Sequence, residues 1–283
     1  MEKLQDILKD QPNKLIALST KLAVKPKYRK TPALYLLLAK AYEICRLQQV
    51  HFCLGGGNPC NIQLYEQMGF RRFGSNFSDP GYGMLVALNL IIEDVDHLKA
   101  VRSPLYRVAR KKDGNALIAS QFFNSFPQAG ECVNSQLVSK QELWEYLGSK
   151  LGGKPNEKIA LLKGLDAEET SNLLCLGAVF PCKQGDSIVC AGDISNEVFT
   201  LLSGTVEVRN KAGIYALKPG QSFGGIGIIT NQPQSESVTA VDDSEILVIS
   251  RQLFEKMQRL FPIAADKILT NLADLLKAEV EKL

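Results

Sequence analysis

Two segments of the sequence contain residues whose types and spacing could do chemistry. In the first, Asn58 lies a few positions before Tyr65. A tyrosine hydroxyl can act as a general acid, and an asparagine amide can orient a substrate. In the second, Phe223 is followed by a glycine pair and, further on, by Gln234 and two serines. The amide and hydroxyl side chains of this segment could form hydrogen bonds with a ligand.

The histidines and cysteines do not form a pattern typical of a metal site. His51 and His97 lie far apart in the sequence and lack metal-ligand spacing. The seven cysteines are scattered, and an odd number without CxxC pairs predicts free thiols rather than a disulfide framework. The sequence therefore predicts a cytoplasmic protein without a bound metal, since its first residues also lack the apolar stretch of a secretory signal.

Length and charge exclude several classes of protein. The 283 residues are enough for two modest domains. A net charge of +3 argues against a dedicated nucleic-acid binder, which concentrates far more lysine and arginine on one face. The longest apolar run, Met84 to Ile92, is about half as long as a spanning helix needs to be. Neither a nucleic-acid partner nor a membrane span is expected.

The elements around Tyr65 follow a strand–helix–strand–helix–strand pattern between residues 14 and 111. Thr31 and Pro32 favour the start of a helix, and Gly69 favours the end of one. The predicted elements are a strand over Leu15–Val24, a helix over Ala33–Leu47, a strand over Val50–Leu54, a helix over Asn61–Met68 and a strand over Met84–Leu90.

The stretch from Asn58 to Phe70 resembles the second acyl-CoA-side motif of the GNAT acyltransferases, in which an Asn precedes Leu-Tyr and the helix ends in Gly-Phe. Residues 24–29 and 81–105 extend the resemblance, the latter toward the branch that makes long-chain N-acyl amino acids. The resemblance implies that Tyr65 protonates the leaving thiolate as a general acid. The alternatives are a tyrosine that only packs on its helix, and an Asn58 that caps the helix rather than orienting a substrate.

The same resemblance places an acyl-donor loop at Arg29, Lys30 and Thr31. In the family, glycines bring the backbone N–H groups of this loop to the pyrophosphate. Here Lys30, Pro32 and Leu34 stand at the glycine positions. Each lost donor to a charged oxygen weakens binding by about 1.5–3 kcal/mol. Poor affinity for acyl-CoA is therefore expected, and an acyl-carrier protein is the other conceivable donor.

From residue 158 onward the pattern changes to short strands separated by glycines, after a helix capped by Asp166. Such a pattern predicts a small barrel or roll. The predicted strands are Ser187–Cys190, Val198–Leu202, Thr205–Arg209, Ile214–Leu217, Val238–Val241 and Glu245–Ile249. The succession of strands and glycines from Gly185 to Gly224, with its flanking helices, resembles cyclic-nucleotide-binding domains and so implies a β-roll.

In binding members of that family, the loop after Phe-Gly holds the nucleotide through backbone N–H groups, a Glu on the ribose and an Arg on the phosphate. The resemblance places Gly225 at the Glu position and Gln234 at the Arg position. An unpaired charge in such a site costs about 3–5 kcal/mol, so tight binding of a cyclic nucleotide is not expected. The loop residues predicted to face the ligand are Phe223, Gly224, Gly225, Ile226, Gln234, Ser235 and Ser237.

The two resemblances predict an α+β chain of three parts. Residues 1–112 form a partial GNAT-like mixed α/β domain, partial because the family fold has further elements before this point. Residues 113–157 form a linker and a connecting helix, which begins with the capping-box pair Ser139 and Glu142. Residues 158–283 form a cyclic-nucleotide-binding-like β-roll, or jelly roll, whose C-terminal helices either pair two copies into a homodimer or pack on the roll.

Two functions remain open from the sequence. One is a regulatory or scaffold protein that acts through contacts with a protein partner and has no certain cofactor. The other is an N-acyltransferase that moves a fatty acyl group from acyl-CoA or acyl-carrier protein to an amine or amino acid, with the β-roll as its regulatory part. The incomplete first domain and the altered donor loop favour the first function.

Overall fold

A computed structural model describes residues 2–11, 13–29, 31–79, 82–134, 136–230 and 232–280. The chain divides into two compact units. We call them the sheet unit (1–57, 61–75 and 86–137) and the roll unit (58–60, 76–85 and 138–283). Within the described residues, no helix combines the length and the apolar character needed to cross a bilayer.

The sheet unit is built on a mixed sheet whose strand order is β1-β2-β5-β3. β4 pairs with residues 83–85 at the start of β5, and both of these segments belong to the roll unit. β1 and β2 are parallel and are connected by α2, whereas β5 runs antiparallel to its neighbours. The elements up to residue 131 are α1 Glu2–Ile7, β1 Ile16–Ser19, α2 Ala33–Leu47, β2 Phe52–Gly57, α3 Ile62–Met68, β3 Arg71–Arg72, β4 Phe77–Asp79, β5 Gly83–Ile91, α4 Val95–Ala100, α5 Tyr106–Ala109, α6 Ala116–Ser125 and α7 Gln128–Glu131.

Local signals explain the two helices that flank β2. α2 has the predicted bounds, and the Thr31 hydroxyl accepts a hydrogen bond from the Ala33 N–H at 3.3 Å. α3 ends at Gly69, whose φ of 103° lies in the left-handed region that favours glycine. The strand predicted over Leu15–Val24 is shorter, since β1 ends at Ser19 and Lys21 has a positive φ.

The strand predicted over Val50–Leu54 was expected to end at the three glycines Gly55, Gly56 and Gly57. In the structure, β2 includes all three. A Cβ at Gly57 would lie 2.6 Å from the Leu88 Cδ1 atom of the neighbouring strand. The strand therefore needs glycine for close approach to β5 rather than for a turn.

The segment predicted as a linker over residues 113–136 contains α6 and α7. Ile118 and Phe122 of α6 are fully buried and pack with Leu4, Leu8 and Phe52 in the core of the sheet unit. The overall composition of the segment is polar, so it does not indicate a core helix. The apolar residues that face the core are spaced four apart and lie on one face of the helix. In the structure this stretch is part of the sheet unit.

The roll unit contains two four-stranded sheets, β10-β9-β12-β7 and β11-β8-β13-β6, all antiparallel. Its elements from residue 138 are α8 Lys140–Leu151, α9 Pro155–Lys158, α10 Ala167–Leu174, β6 Ala178–Cys182, β7 Ser187–Val189, β8 Glu197–Ser203, β9 Val206–Asn210, β10 Gly213–Leu217, β11 Ser222–Gly224, α11 Ile226–Thr230, β12 Ser237–Ala240, β13 Ser244–Ser250, α12 Arg251–Leu260 and α13 Pro262–Val280.

All six strands predicted for this region are present, the predicted capping box of Ser139 and Glu142 forms, and the predicted cap Asp166 forms a second capping box with Glu169. The Ser139 and Asp166 side chains accept from the N–H groups three residues on, and Glu142 and Glu169 return the bond. Two further strands, β6 and β11, were not predicted. β6 carries Pro181, which a strand tolerates only at a sheet edge, and β6 lies at such an edge.

The C-terminal helices pack within the roll unit. Phe254 and Met257 of α12 and Ile268 and Leu272 of α13 are buried. The Asn271 Nδ2 atom donates to the carbonyl oxygens of residues 161 and 163 at 3.0 and 2.8 Å. These contacts favour the packing interpretation, and the homodimer stays a prediction.

Candidate functional site

The segment from the end of β11 to the start of β12, residues 223–238, is held at its first residues by the pairing of β11 with β8. We call this segment the glycine loop. The Phe223 and Phe199 rings stack at 5.3 Å between β11 and β8. Gly224 and Gly225 then take positive φ values of 69° and 85°. Only glycine adopts such angles without strain, so the glycine pair fixes the turn into α11.

Gly225 has no room for a side chain. A Cβ there would lie 2.9 Å from the Leu272 Cδ1 atom of α13 and 3.4 Å from the Val198 side chain. A glutamate at this position, as the resemblance would require for a ribose contact, therefore conflicts with both the backbone and its neighbours.

Several backbone donors of the loop are used by the protein itself. The Gly225 N–H donates to the Glu197 carbonyl at 2.9 Å, and the Ile228 N–H donates to the Gly225 carbonyl at 2.9 Å. A Cβ added at Gly227 would overlap the Ser195 carbonyl, so α11 lies directly against the chain that precedes β8. At these positions the loop is in contact with neighbouring parts of the chain.

Gln234 and Glu236 point inward, each with 3% of its surface exposed. The Glu236 carboxylate accepts from the Gly224 N–H at 3.2 Å and lies 3.5 Å from the Tyr215 hydroxyl. Burial raises the pKa of Glu236 above its usual value, although both donors act in the opposite direction. The side-chain Nε2 of Gln234 is buried and finds no acceptor among the described residues.

The two predicted serines lie outside this interior. Ser235 is exposed, and the Ser237 hydroxyl accepts from the Ala191 N–H at 3.0 Å. Of the predicted ligand residues, the structure therefore brings together the glycine turn and Gln234, while Glu236 replaces the serines as the inward-facing polar group. The sequence signal for this arrangement was the alternation of side chains along the extended chain before β12, which places the side chains of residues 234 and 236 on the same side.

One arginine lies next to α11 and is committed to other acceptors. Arg251, at the start of α12, donates through Nη2 to the carbonyl oxygens of Gly227 and Ile228, the latter at 2.9 Å. Its charge therefore stabilises the C-terminal carbonyls of α11 rather than the Gly224–Glu236 pair.

The candidate catalytic residues of the first segment fall into different units. Tyr65, in the sheet unit, is half-buried and meets the Phe70 ring edge-on at 5.5 Å. Asn58, in the roll unit, lines an open cavity of about 430 Å³ together with Asp193 and Glu197. The ring contact of Tyr65 is what a packing role requires, and its general-acid role stays a prediction.

Two of the three residues of the predicted acyl-donor loop, Arg29 and Thr31, are described and lie shortly before α2. The Thr31 hydroxyl donates to the Tyr28 carbonyl at 2.6 Å and accepts from the Ala33 N–H, while the N-cap position of α2 is Pro32 rather than the predicted Thr31. Arg29 is exposed and donates through Nε to the Val24 carbonyl at 3.2 Å. Lys30 lies outside the described residues. Among those that the structure describes, no group of three histidine, cysteine or carboxylate side chains could hold a metal ion.

Comparison with known proteins identifies the roll. Residues 180–259 match the family of the cyclic nucleotide-binding domain. This cyclic nucleotide-binding domain confirms the β-roll predicted for the second half of the chain. The partial GNAT-like domain is not confirmed and stays a prediction.

The chain is also similar to two curated proteins and to a solved structure. It is 33% identical over 119 residues to glutaminase 2 of Bradyrhizobium diazoefficiens (41% of this chain, 19% of that protein). It is 31% identical over 108 residues to the Pycsar effector protein XpPycTIR of Xanthomonas perforans (38% of this chain, 36% of that protein). A cyclic nucleotide-binding domain from Methylobacillus flagellatus KT is 23% identical, with a TM-score of 0.43 and coverage of 49% of this chain and 80% of that one. The matched part thus spans about a fifth of the first curated relative and little more than a third of the second.

Proposed function

We propose that this chain is a regulatory or scaffold protein whose cyclic nucleotide-binding domain works through protein contacts and does not bind cAMP or cGMP tightly. The observation that carries the proposal is the hydrogen bond from the Gly224 N–H to the Glu236 carboxylate. A carboxylate of the protein itself takes the donor that the glycine turn presents.

Electrostatics supports the proposal that a cyclic nucleotide does not bind tightly. A cyclic phosphate placed beside Glu236 would meet a second anion, and the neutral Gln234 amide offers no charge to offset it. A buried charge without its partner costs about 3–5 kcal/mol, a factor of hundreds to thousands in affinity. The Gly224, Gly225 and Ile228 N–H groups already donate within the protein, so a ligand that used them would have to displace existing hydrogen bonds.

The relatives support a modular role. The matched stretch is about a fifth of a protein named as a glutaminase and about a third of one named as an effector protein. A segment shared by proteins of such different description behaves as a module attached to other activities.

Calorimetric titration with cAMP and with cGMP tests the proposal. We expect dissociation constants weaker than micromolar for the wild-type chain. The double variant Gln234→Arg with Glu236→Gln restores a cation and removes the competing anion, so its affinity should rise by at least about tenfold. Gln232→Arg, which adds the same charge at an exposed position, is the matched control. Micromolar or tighter binding by the wild-type chain would overturn the proposal.

A second candidate, N-acyl transfer, is favoured by one observation. β1, α2 and the parallel β2 follow one another and α3 comes directly after β2, carrying Tyr65 near Gly57. This is the order that the GNAT resemblance implies for an acyl-donor site. Assays with acyl-CoA and acyl-carrier-protein donors and amino-acid acceptors test it. If activity is found, Tyr65→Phe should lower it by about 10²-fold or more while Tyr106→Phe does not, and an unaffected Tyr65→Phe enzyme would exclude the general-acid role.

A further inference from the structure

The sheet of the sheet unit ends in an open strand. In the part of the chain that the structure describes, β1 has β2 as its one neighbour. The Leu15 carbonyl accepts from the His51 N–H at 3.0 Å and so faces β2. Because backbone groups alternate sides along a strand, the N–H and carbonyl of Leu18 face the open side. An edge of this kind is a template for pairing with another strand.

The same segment exposes an unusual amount of apolar surface. Leu18 is 73% exposed, and Leu36 and Leu47 of α2 are 67% and 68% exposed. Tyr42 is the one buried residue of α2. A helix that crosses between parallel strands normally covers its sheet with one apolar face and turns polar residues outward. α2 instead leaves large aliphatic side chains uncovered.

The charge of this segment is strongly one-sided. Residues 14–42 contain seven lysines and arginines and no aspartate or glutamate. Since the whole chain carries only +3, the remainder is net acidic. We call this surface the basic edge. Its exposed members are Lys14, Leu15, Leu18, Lys21, Lys25, Lys27, Arg29, Leu36 and Leu37.

Three kinds of partner could cover the basic edge: a second copy of the chain, a lipid surface or an acidic polypeptide. The charge, the apolar side chains and the backbone groups of the edge favour one of the three. A second copy paired through β1 would bring Lys14 and Lys21 beside the same lysines of its mate, which like-charge repulsion disfavours. A lipid surface would satisfy the charges, but its hydrocarbon offers no hydrogen bonds to the backbone groups of Leu18. An acidic polypeptide in extended form satisfies the charges, the apolar side chains and the backbone together.

We propose that the basic edge is a docking surface for an acidic protein segment that adds a strand to β1. Main-chain hydrogen bonds to the outward groups of Ile16 and Leu18 provide the pairing, as in other cases of strand addition. Carboxylates of the partner face the lysines that flank β1, and its apolar residues cover Leu18 and the exposed leucines of α2.

A synthetic fluorescein-labelled peptide that alternates glutamate with valine and isoleucine is a suitable probe, with fluorescence anisotropy against the full chain as the measurement. We expect binding that weakens steeply between about 0.05 M and 0.5 M salt, as charge pairing requires. Leu18→Pro removes an outward N–H without touching the bonds to β2, and edge strands accept proline. It should lower affinity at least about tenfold. Leu18→Thr, which keeps the N–H, is the matched control and should bind more tightly than the proline variant.

A second set of variants does not depend on proline being tolerated. Lys21→Glu, Lys25→Glu and Lys27→Glu together reverse the exposed charge and should abolish binding of the acidic peptide while a basic peptide of the same apolar residues begins to bind. The proposal is overturned if both sets of variants bind the acidic peptide as the wild type does. It is equally overturned if the chain instead dimerises in a Leu18-dependent way, or binds phosphatidylserine vesicles but no peptide.

Discussion

The glycine loop of the roll unit and the basic edge of the sheet unit differ in whether their polar groups have partners within the protein. In the loop, the Gly224 and Gly225 N–H groups, the buried Glu236 carboxylate and the neighbouring arginine all have partners within the protein. At the basic edge, the Leu18 backbone faces outward and large leucines are exposed. In the loop the buried Gln234 Nε2 atom is an exception, since it finds no acceptor among the described residues.

This contrast shows in which region a partner would add new hydrogen bonds and bury exposed apolar surface. A donor that already has a buried acceptor gains little from a ligand, because the exchange replaces one hydrogen bond by another. An unpaired strand edge beside exposed leucines gains both hydrogen bonds and buried apolar area from a partner. The two regions therefore predict different responses to substitution, with large effects in the loop and small ones at the edge.

The largest effect is expected at Gly225. Gly225→Ala imposes a positive φ on alanine and brings its Cβ within 2.9 Å of Leu272, so we expect a loss of about 2–4 kcal/mol in the free energy of unfolding. Gly192→Ala has a similar positive φ but no atom within 4 Å of its Cβ, and should cost about 1 kcal/mol. Urea unfolding measures both. Equal losses for the two variants would mean that the loop is not closed against α13.

Arg251 should come next in size. Arg251→Met removes the donor that α11 uses to satisfy two carbonyl oxygens, and we expect a loss of about 1–3 kcal/mol in the free energy of unfolding. Arg259→Met, at an exposed position of the same helix, is the control and should cost less than about 0.5 kcal/mol. If both substitutions were neutral, the arginine would not be committed to α11, and the electrostatic case against nucleotide binding would lose its support.

Glu236 gives a smaller effect with a defined sign. Burial raises its pKa, so the folded chain holds this proton to higher pH than the unfolded chain does. Its contribution to stability is complete below the ordinary glutamate pKa and is lost as the pH rises through the raised one. We expect the Glu236→Gln variant to avoid this loss, so that its stability falls less than that of the wild type as the pH rises above the ordinary glutamate pKa. Parallel pH profiles for variant and wild type would contradict the burial of an ionisable carboxylate here.

The accuracy of the sequence-based predictions depends on how local each signal is. α2 and the end of α3 were predicted well because Thr31 and Gly69 act on their nearest turns. α6 was not predicted because the residues that bury Phe122, among them Phe52 and Leu4, lie far away in the sequence. They contact Phe122 only in the folded core. β6 was missed because Pro181 argues against a strand unless its edge position is already known.

The same distinction applies to the candidate site. The glycine turn could be predicted because positive φ angles are a local property of Gly224 and Gly225. That Glu236 accepts from Gly224 could not be predicted, since it requires knowing which side of the chain faces β11. The basic edge could be predicted only in its charge, because exposure of Leu18 depends on the strand order of the whole sheet.

The smallest effect on stability is expected at the basic edge. Leu18→Thr changes a side chain that is 73% exposed, so the free energy of unfolding should change by less than about 0.5 kcal/mol. Leu201→Thr, the same substitution at a fully buried position of β8, should cost about 3 kcal/mol or more, since it leaves both a cavity and a buried hydroxyl. A loss above about 1 kcal/mol for Leu18→Thr would mean that Leu18 is covered in the isolated protein. The edge would then be closed like the loop, and the contrast between the two regions would disappear.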